Sequence, residues 1–106
     1  MSVQPPAVSY DRIAHEADVD AAEIAETVMA EQIERADRIG VGRPAGAVAQ
    51  MAARRTRSAV MENVSPARRS EAEVVAREEG RHAAEIVRRE YDKKMRNDNS
   101  EGEREQ

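Results

Sequence analysis

Apolar residues recur along this chain at intervals of three and four, and nowhere alternate as they would in a half-buried strand, so the pattern predicts an all-α fold. Residues 1–9 contain Pro5 and Pro6 and read as an extended arm. A first helix is expected from a cap near Ser9 through Ile13, Ala14 and Ala17, stopping at Asp18-Val19-Asp20. Asp20 caps a longer second helix over 21–39. Its apolar face is Ala21, Ile24, Ala25, Val28, Met29, Ala36 and Ile39, with Glu23, Glu26, Glu34 and Asp37 opposite. Gly40 and Gly42 end it.

From Pro44 to Ala53 the chain is uncharged and mostly small, which predicts a third, buried central helix over 44–61 that its neighbours approach closely. A half-buried helix of an ordinary bundle is the plainer alternative. Arg54, Arg55 and Arg57 mark its exit. After a connection with Ser65-Pro66 as turn signal, Ser70 and Glu73 form a capping-box pattern for a short fourth helix carrying Ala72, Val75 and Ala76. Gly80 is expected to break that helix. A fifth helix, about 82–96, presents Ala83, Ile86, Val87, Glu90 and Tyr91. The last residues, 97–106, hold nothing apolar and predict a disordered acidic tail. The expected domain is therefore a compact five-helix bundle over residues 10–96.

A chain of 106 residues supports one core, and this one must be built almost without aromatics: Tyr10 and Tyr91 stand alone, with no Phe or Trp. There is no cysteine, so neither a disulfide framework nor a thiolate metal site. No stretch approaches the roughly 18 apolar residues of a membrane span, and no secretory leader pattern opens the chain, which predicts a cytoplasmic protein.

The net charge of −4 conceals a block pattern. Residues 11–37 are net −7, 43–69 net +5, 70–80 net −3 and 81–96 net +3. Such asymmetry predicts a molecule with an acidic and a basic region. Within it, Ile13–Ile24 aligns without gaps to Val75–Ile86: an aliphatic-Ala pair, a turn residue (Asp18 or Gly80) five positions on, and Ile at eleven. That is helix-turn-helix spacing. The second helix of the first copy carries Glu23, Glu26, Glu31 and Glu34, which repel phosphates, and the copy reads as a structural hairpin. The second is basic. Arg88, Arg89, Lys93 and Lys94 are the candidate phosphate contacts of a C-terminal helix-turn-helix, with Arg81 and His82 nearest the base edges and Arg54 and Arg55 adding to the same surface. A solvated basic face with pairs such as Glu85–Arg89 is the competing reading.

The order of these parts resembles one cyclin-type repeat of the archaeal transcription factor B and eukaryotic factor IIB family. The similarity runs over residues 10–95 through Tyr10-Asp11-Arg12-Ile13-Ala14, then Gly42-Arg43-Pro44-Ala45-Gly46-Ala47-Val48-Ala49, then Ser70 to Ala76, Gly80, and Ile86 to Tyr91-Asp92-Lys93. The resemblance implies a cyclin-like fold whose last two helices form a helix-turn-helix beside DNA. Departures are a single repeat instead of two, no zinc ribbon, Gln50, Arg54 and Arg55 at positions usually apolar, and no Val-Thr pair in His82 to Glu85.

No nucleophile stands beside a positioned base, so an enzyme is not expected. Glu78 and His82 are one helical turn apart, but no second cluster completes a metal site. Gly42-Arg43-Pro44 lacks the basic flanks of a minor-groove hook. No cofactor or small-molecule substrate is implied. The expectation is a DNA-binding transcription regulator or factor-B-like accessory protein, with duplex DNA and a transcription-machinery protein as partners. The alternative is a non-enzymatic adaptor, a homodimer or a viral or plasmid assembly factor, whose acidic and basic helix faces dock other proteins.

Overall fold

The computed structural model describes residues 6–104, and the side chains of 10–97. Among the described residues it is all-helical, with four helices instead of the five expected: α1 Pro6–Ala17, α2 Ala21–Ile39, α3 Ala45–Asn63 and α4 Arg69–Arg104, with a 3₁₀ turn at Pro66–Arg68 before α4. α1 begins at Pro6, ahead of the expected cap at Ser9, and α4 runs to Arg104, through most of the stretch expected as a tail. No described helix is long and apolar enough to cross a membrane.

Local chemistry sets the first two corners as the pattern predicts. Asp18 takes up a left-handed φ of 49° where α1 ends, a conformation that a short polar side chain tolerates. The carboxylate of Asp20 then accepts hydrogen bonds from the backbone N–H of Ala22 (3.0 Å) and Glu23 (3.2 Å), satisfying two of the orphan donors of α2. At the far end Gly40, at φ 80°, donates its N–H to the Ala36 carbonyl at 2.8 Å. The α3–α4 corner differs from expectation. Ser65 caps the 3₁₀ turn by accepting from the Ala67 N–H, whereas Ser70 lies inside α4 and Glu73 pairs instead with Arg69.

The main departure is at Gly80. There is no break there: α4 is continuous for 36 residues, about 54 Å at 1.5 Å per residue, so the expected C-terminal helix-turn-helix is absent. Gly80 is buried, and a Cβ on it would lie 3.0 Å from Cγ of Arg57 and 3.1 Å from the Ala53 carbonyl oxygen. The glycine is a contact point between helices. The cost of a mid-helix glycine, about 1 kcal/mol against alanine, is offset by letting the backbone of α3 come this close.

α4 is the spine along which two cores form. Towards its start, Ala72, Val75 and Ala76 pack with Ile13 and Ala17 of α1 and Val60 of α3. Further along, Ala83, Ala84, Val87 and Tyr91 pack with Val28 and Met29 of α2 and Val48, Ala49 and Ala52 of α3. α3 contributes to both and touches every other helix, as a central helix should. It is buried on one side only, however. Val48, Ala49, Ala52, Ala53, Thr56 and Val60 face inward, while Gln50, Arg54, Arg55, Arg57 and Ser58 face solvent, so the half-buried alternative describes it better. The molecule measures 68 × 21 × 19 Å, with a radius of gyration of 17.0 Å, well above the roughly 13 Å of a compact domain of this length.

The seam predicts opposite outcomes for two glycines of helical backbone. Gly80→Leu forces α3 and α4 apart and lowers unfolding stability by about 1–3 kcal/mol. Gly46, in the first turn of α3, has nothing within 4 Å of where a Cβ would lie, so Gly46→Ala raises stability by about 0.4–1 kcal/mol. Urea denaturation of the two variants checks both signs.

Candidate functional site

Successive residues of a helix point about 100° apart, and on α3 this separates two neighbouring arginines. Arg55 turns toward α2, where its guanidinium meets the Glu31 carboxylate at 3.0 Å. Arg54 turns the other way and lines a groove of about 570 Å³ between α3 and the first half of α4, together with Arg57, Arg69 and Arg77. Buried Ala76 and half-buried Met61 form its base. The one acid lining it, Glu73, is engaged by Arg69 at 3.5 Å, one helical turn away. Both partners are largely exposed, so the pair adds little stability. The groove carries net positive charge.

The residues expected to contact DNA are not gathered on one face. With α4 unbroken, its helical period can be read straight through. Arg77, Arg81 and Arg88 fall within about 40° of one another and extend the edge begun by the groove, whereas Arg89 and Lys93 lie about 100° or more around the helix. Arg81 is engaged by Glu78 at 3.2 Å, and Arg89 by Glu90 at 3.1 Å, not by the Glu85 of the competing reading. His82 is exposed and does not line the groove. Lys94 is half-buried in a different groove, which Glu26, Glu34 and Asp37 make acidic. Of the expected set, Arg54 lines the arginine groove and Arg81 and Arg88 prolong it; Arg55, His82, Arg89, Lys93 and Lys94 do not join them. Arg69 and Arg77 are absent from that set. The signal that reveals them is the series Arg69-Glu73-Arg77-Arg81 at intervals of four, visible once Gly80 is read as helical.

The opposite side of α3 is acidic. A cleft of about 800 Å³ between α1, α2 and α3 is lined by Asp18, Asp20 and Glu23, with His15 and Arg55 as its basic members. Asp20 is committed to capping, and Asn63 donates from Nδ2 to the Ala17 carbonyl at 2.7 Å, tying α3 to the corner. Among the described residues no group of three or more His, Asp or Glu side chains is placed to hold a metal ion.

Two polar ties hold α1 against the groove-bearing half of the molecule. The Tyr10 hydroxyl donates to the Glu79 carboxylate, and Glu16 accepts from the Arg68 guanidinium and the Ser65 N–H. The Arg68 hydrogen bond holds the Glu16 carboxyl below the usual range. Burial, then the hydrogen bond to Glu79, pushes the Tyr10 phenol well above its ordinary value, and burial also raises Tyr91.

A tyrosine whose pKa is raised by folding contributes its full stability below its unfolded value of about 10 and loses it as pH climbs toward the folded value. The melting temperature should therefore fall from about pH 9 to about pH 11, and fall less in Tyr10→Phe, as thermal melts across that range would show.

No protein-family model, curated protein or solved structure matches this chain.

Proposed function

We propose that this protein is a cytoplasmic, non-enzymatic DNA-binding regulator of transcription that grips duplex DNA through the arginine groove between α3 and α4. One observation carries the reading: Arg54, Arg57, Arg69 and Arg77 converge on one groove whose single acid is already engaged by Arg69. Guanidinium groups suit phosphate oxygens because their planar forks donate in pairs. From Arg77 to Arg88 the arginine edge of α4 extends 11 residues, about 16 Å, which matches the backbone of about five base pairs at 3.4 Å each. Among the described residues no recognition helix protrudes for a major groove, so phosphate contacts provide the affinity. The resemblance to a cyclin-type factor B repeat extends over α1 to α3 alone and adds nothing to the DNA reading, because its DNA-facing helix-turn-helix has no counterpart in the unbroken α4. A transcription-machinery protein would then meet the acidic side.

The adaptor reading draws on a different observation, the acidic groove of α2 with exposed Ile39 and Val41 at the end of that helix. It gives that face a protein partner and leaves the arginines to DNA.

Binding to duplex DNA across a salt series tests the reading. With about five phosphate contacts the logarithm of affinity falls against the logarithm of salt with a slope near −5. Arg54→Ala/Arg57→Ala reduces that slope by about 2, whereas Arg89→Ala/Lys93→Ala leaves it nearly unchanged. Absence of binding at about 50 mM salt sinks the proposal.

A further inference from the structure

α1 is joined to one helix and packed on two others. Among the described residues it lies against α3 and α4 and makes no contact with α2, the helix that follows it. Ile13 and Ala17 share a core with Val60, Val64, Ala72, Val75 and Ala76, whereas Ala21, Ala25, Val28 and Met29 of α2 belong to the other core. The polar ties of α1 run the same way, from Tyr10 to Glu79 and from Glu16 to Arg68 and Ser65. Between α1 and α2 lies the open cleft of about 800 Å³.

The link between the two helices is short and held in an unfavourable conformation. Asp18 and Val19 alone separate Ala17 from the cap residue Asp20. Among the described residues Asp18 is the one non-glycine with positive φ, at 49°. Aspartate tolerates that region better than most residues but favours the right-handed one. With Asp18 right-handed, residues 18–20 carry α1 straight into α2. Val19 and Asp20 N–H then meet the carbonyls of His15 and Glu16, and helix bonds from Ala22 and Glu23 replace the two that Asp20 accepts as a cap. The joined helix over 6–39 is about 51 Å long, no longer than α4 already is.

We propose that two copies of this chain exchange α1. Each α1 leaves its own chain on a straightened α1–α2 helix and fills the slot between α3 and α4 of the other copy. The occupant needs no new complementarity, because Tyr10, Ile13, Glu16 and Ala17 meet the same residues in the other chain that they meet in their own. Relaxation of both hinges favours the exchange, and the entropy of joining two chains opposes it, so the dimer grows with concentration. The exchange is reciprocal and therefore closes on a two-fold axis and stops at the dimer. No residue lining the arginine groove belongs to α1, so the proposal stands apart from the DNA reading, and the dimer carries two such grooves.

Size-exclusion chromatography of the full chain, refolded from urea at a series of concentrations, is the test, with Asp18→Gly and Asp18→Ala beside the wild type. Glycine adopts the left-handed turn without steric cost, and alanine favours the straight helix. From the glycine to the alanine variant the dimer dissociation constant should fall by about a hundredfold, about tenfold for each of two hinges, with the wild type between them. Both variants remove the same carboxylate, so a dimer held by an ordinary surface contact at Asp18 would treat them alike. A dimer assembled from isotope-labelled and unlabelled chains should show filtered NMR cross-peaks between the Ile13 methyls of one chain and the Val75 methyls of the other. A wild type that stays monomeric at its highest soluble concentration, equal dimerisation of the two variants, or a dimer whose Ile13–Val75 cross-peaks remain within one chain would each overturn the proposal.

Discussion

Where α3 crosses α4, the Ala53 carbonyl oxygen lies 3.1 Å from where a Cβ of residue 80 would be. This approach sets the distance between the two helices that make the most extensive contact in the molecule. The core requires it, because side chains of alanine and valine size are too short to bridge a wider gap, and no Phe or Trp is present to do so. Ala49, Ala52 and Ala53 on one helix and Ala83, Ala84 and Val87 on the other continue the seam. It also builds the arginine groove. Arg57 lies over Gly80 with its Nη1 3.4 Å from the same hypothetical Cβ, and so comes beside the Arg77 edge of α4. A bulkier residue at position 80 would disturb the core and the groove together.

The seam also sorts charge. Once α3 lies against α4 on one side and α2 on the other, consecutive arginines are sent to opposite surroundings: Arg55 to a carboxylate and Arg54 to other guanidinium groups. Exposed ion pairs contribute at most about 1 kcal/mol each, so these blocks matter little for holding the bundle together. They matter for what approaches it. A surface bearing several like charges at helical spacing attracts a complementary array over roughly a Debye length, about 8–10 Å in moderate salt.

The fold is legible in the sequence wherever a local rule has no tertiary competitor. Asp18 at the first turn, Asp20 as a cap and Gly40 at the end of α2 follow from side-chain chemistry that needs only nearby backbone. Gly80 misleads because helix propensity registers only a penalty there, while the compensating contact comes from Ala53, 27 residues away in sequence. The consequence reaches the site. With a turn inserted at Gly80, the residues before and after it lose their common helical phase, and Arg77 sinks into an acidic block of net −3. Arg54 does lie on a basic surface, as its sequence neighbours suggest. Arg55 does not, since a cluster read along the sequence does not reveal the 100° between them. The Ser70–Glu73 pattern fails for a related reason: Ser65 supplies the capping hydroxyl one turn earlier, and Glu73 is left to Arg69.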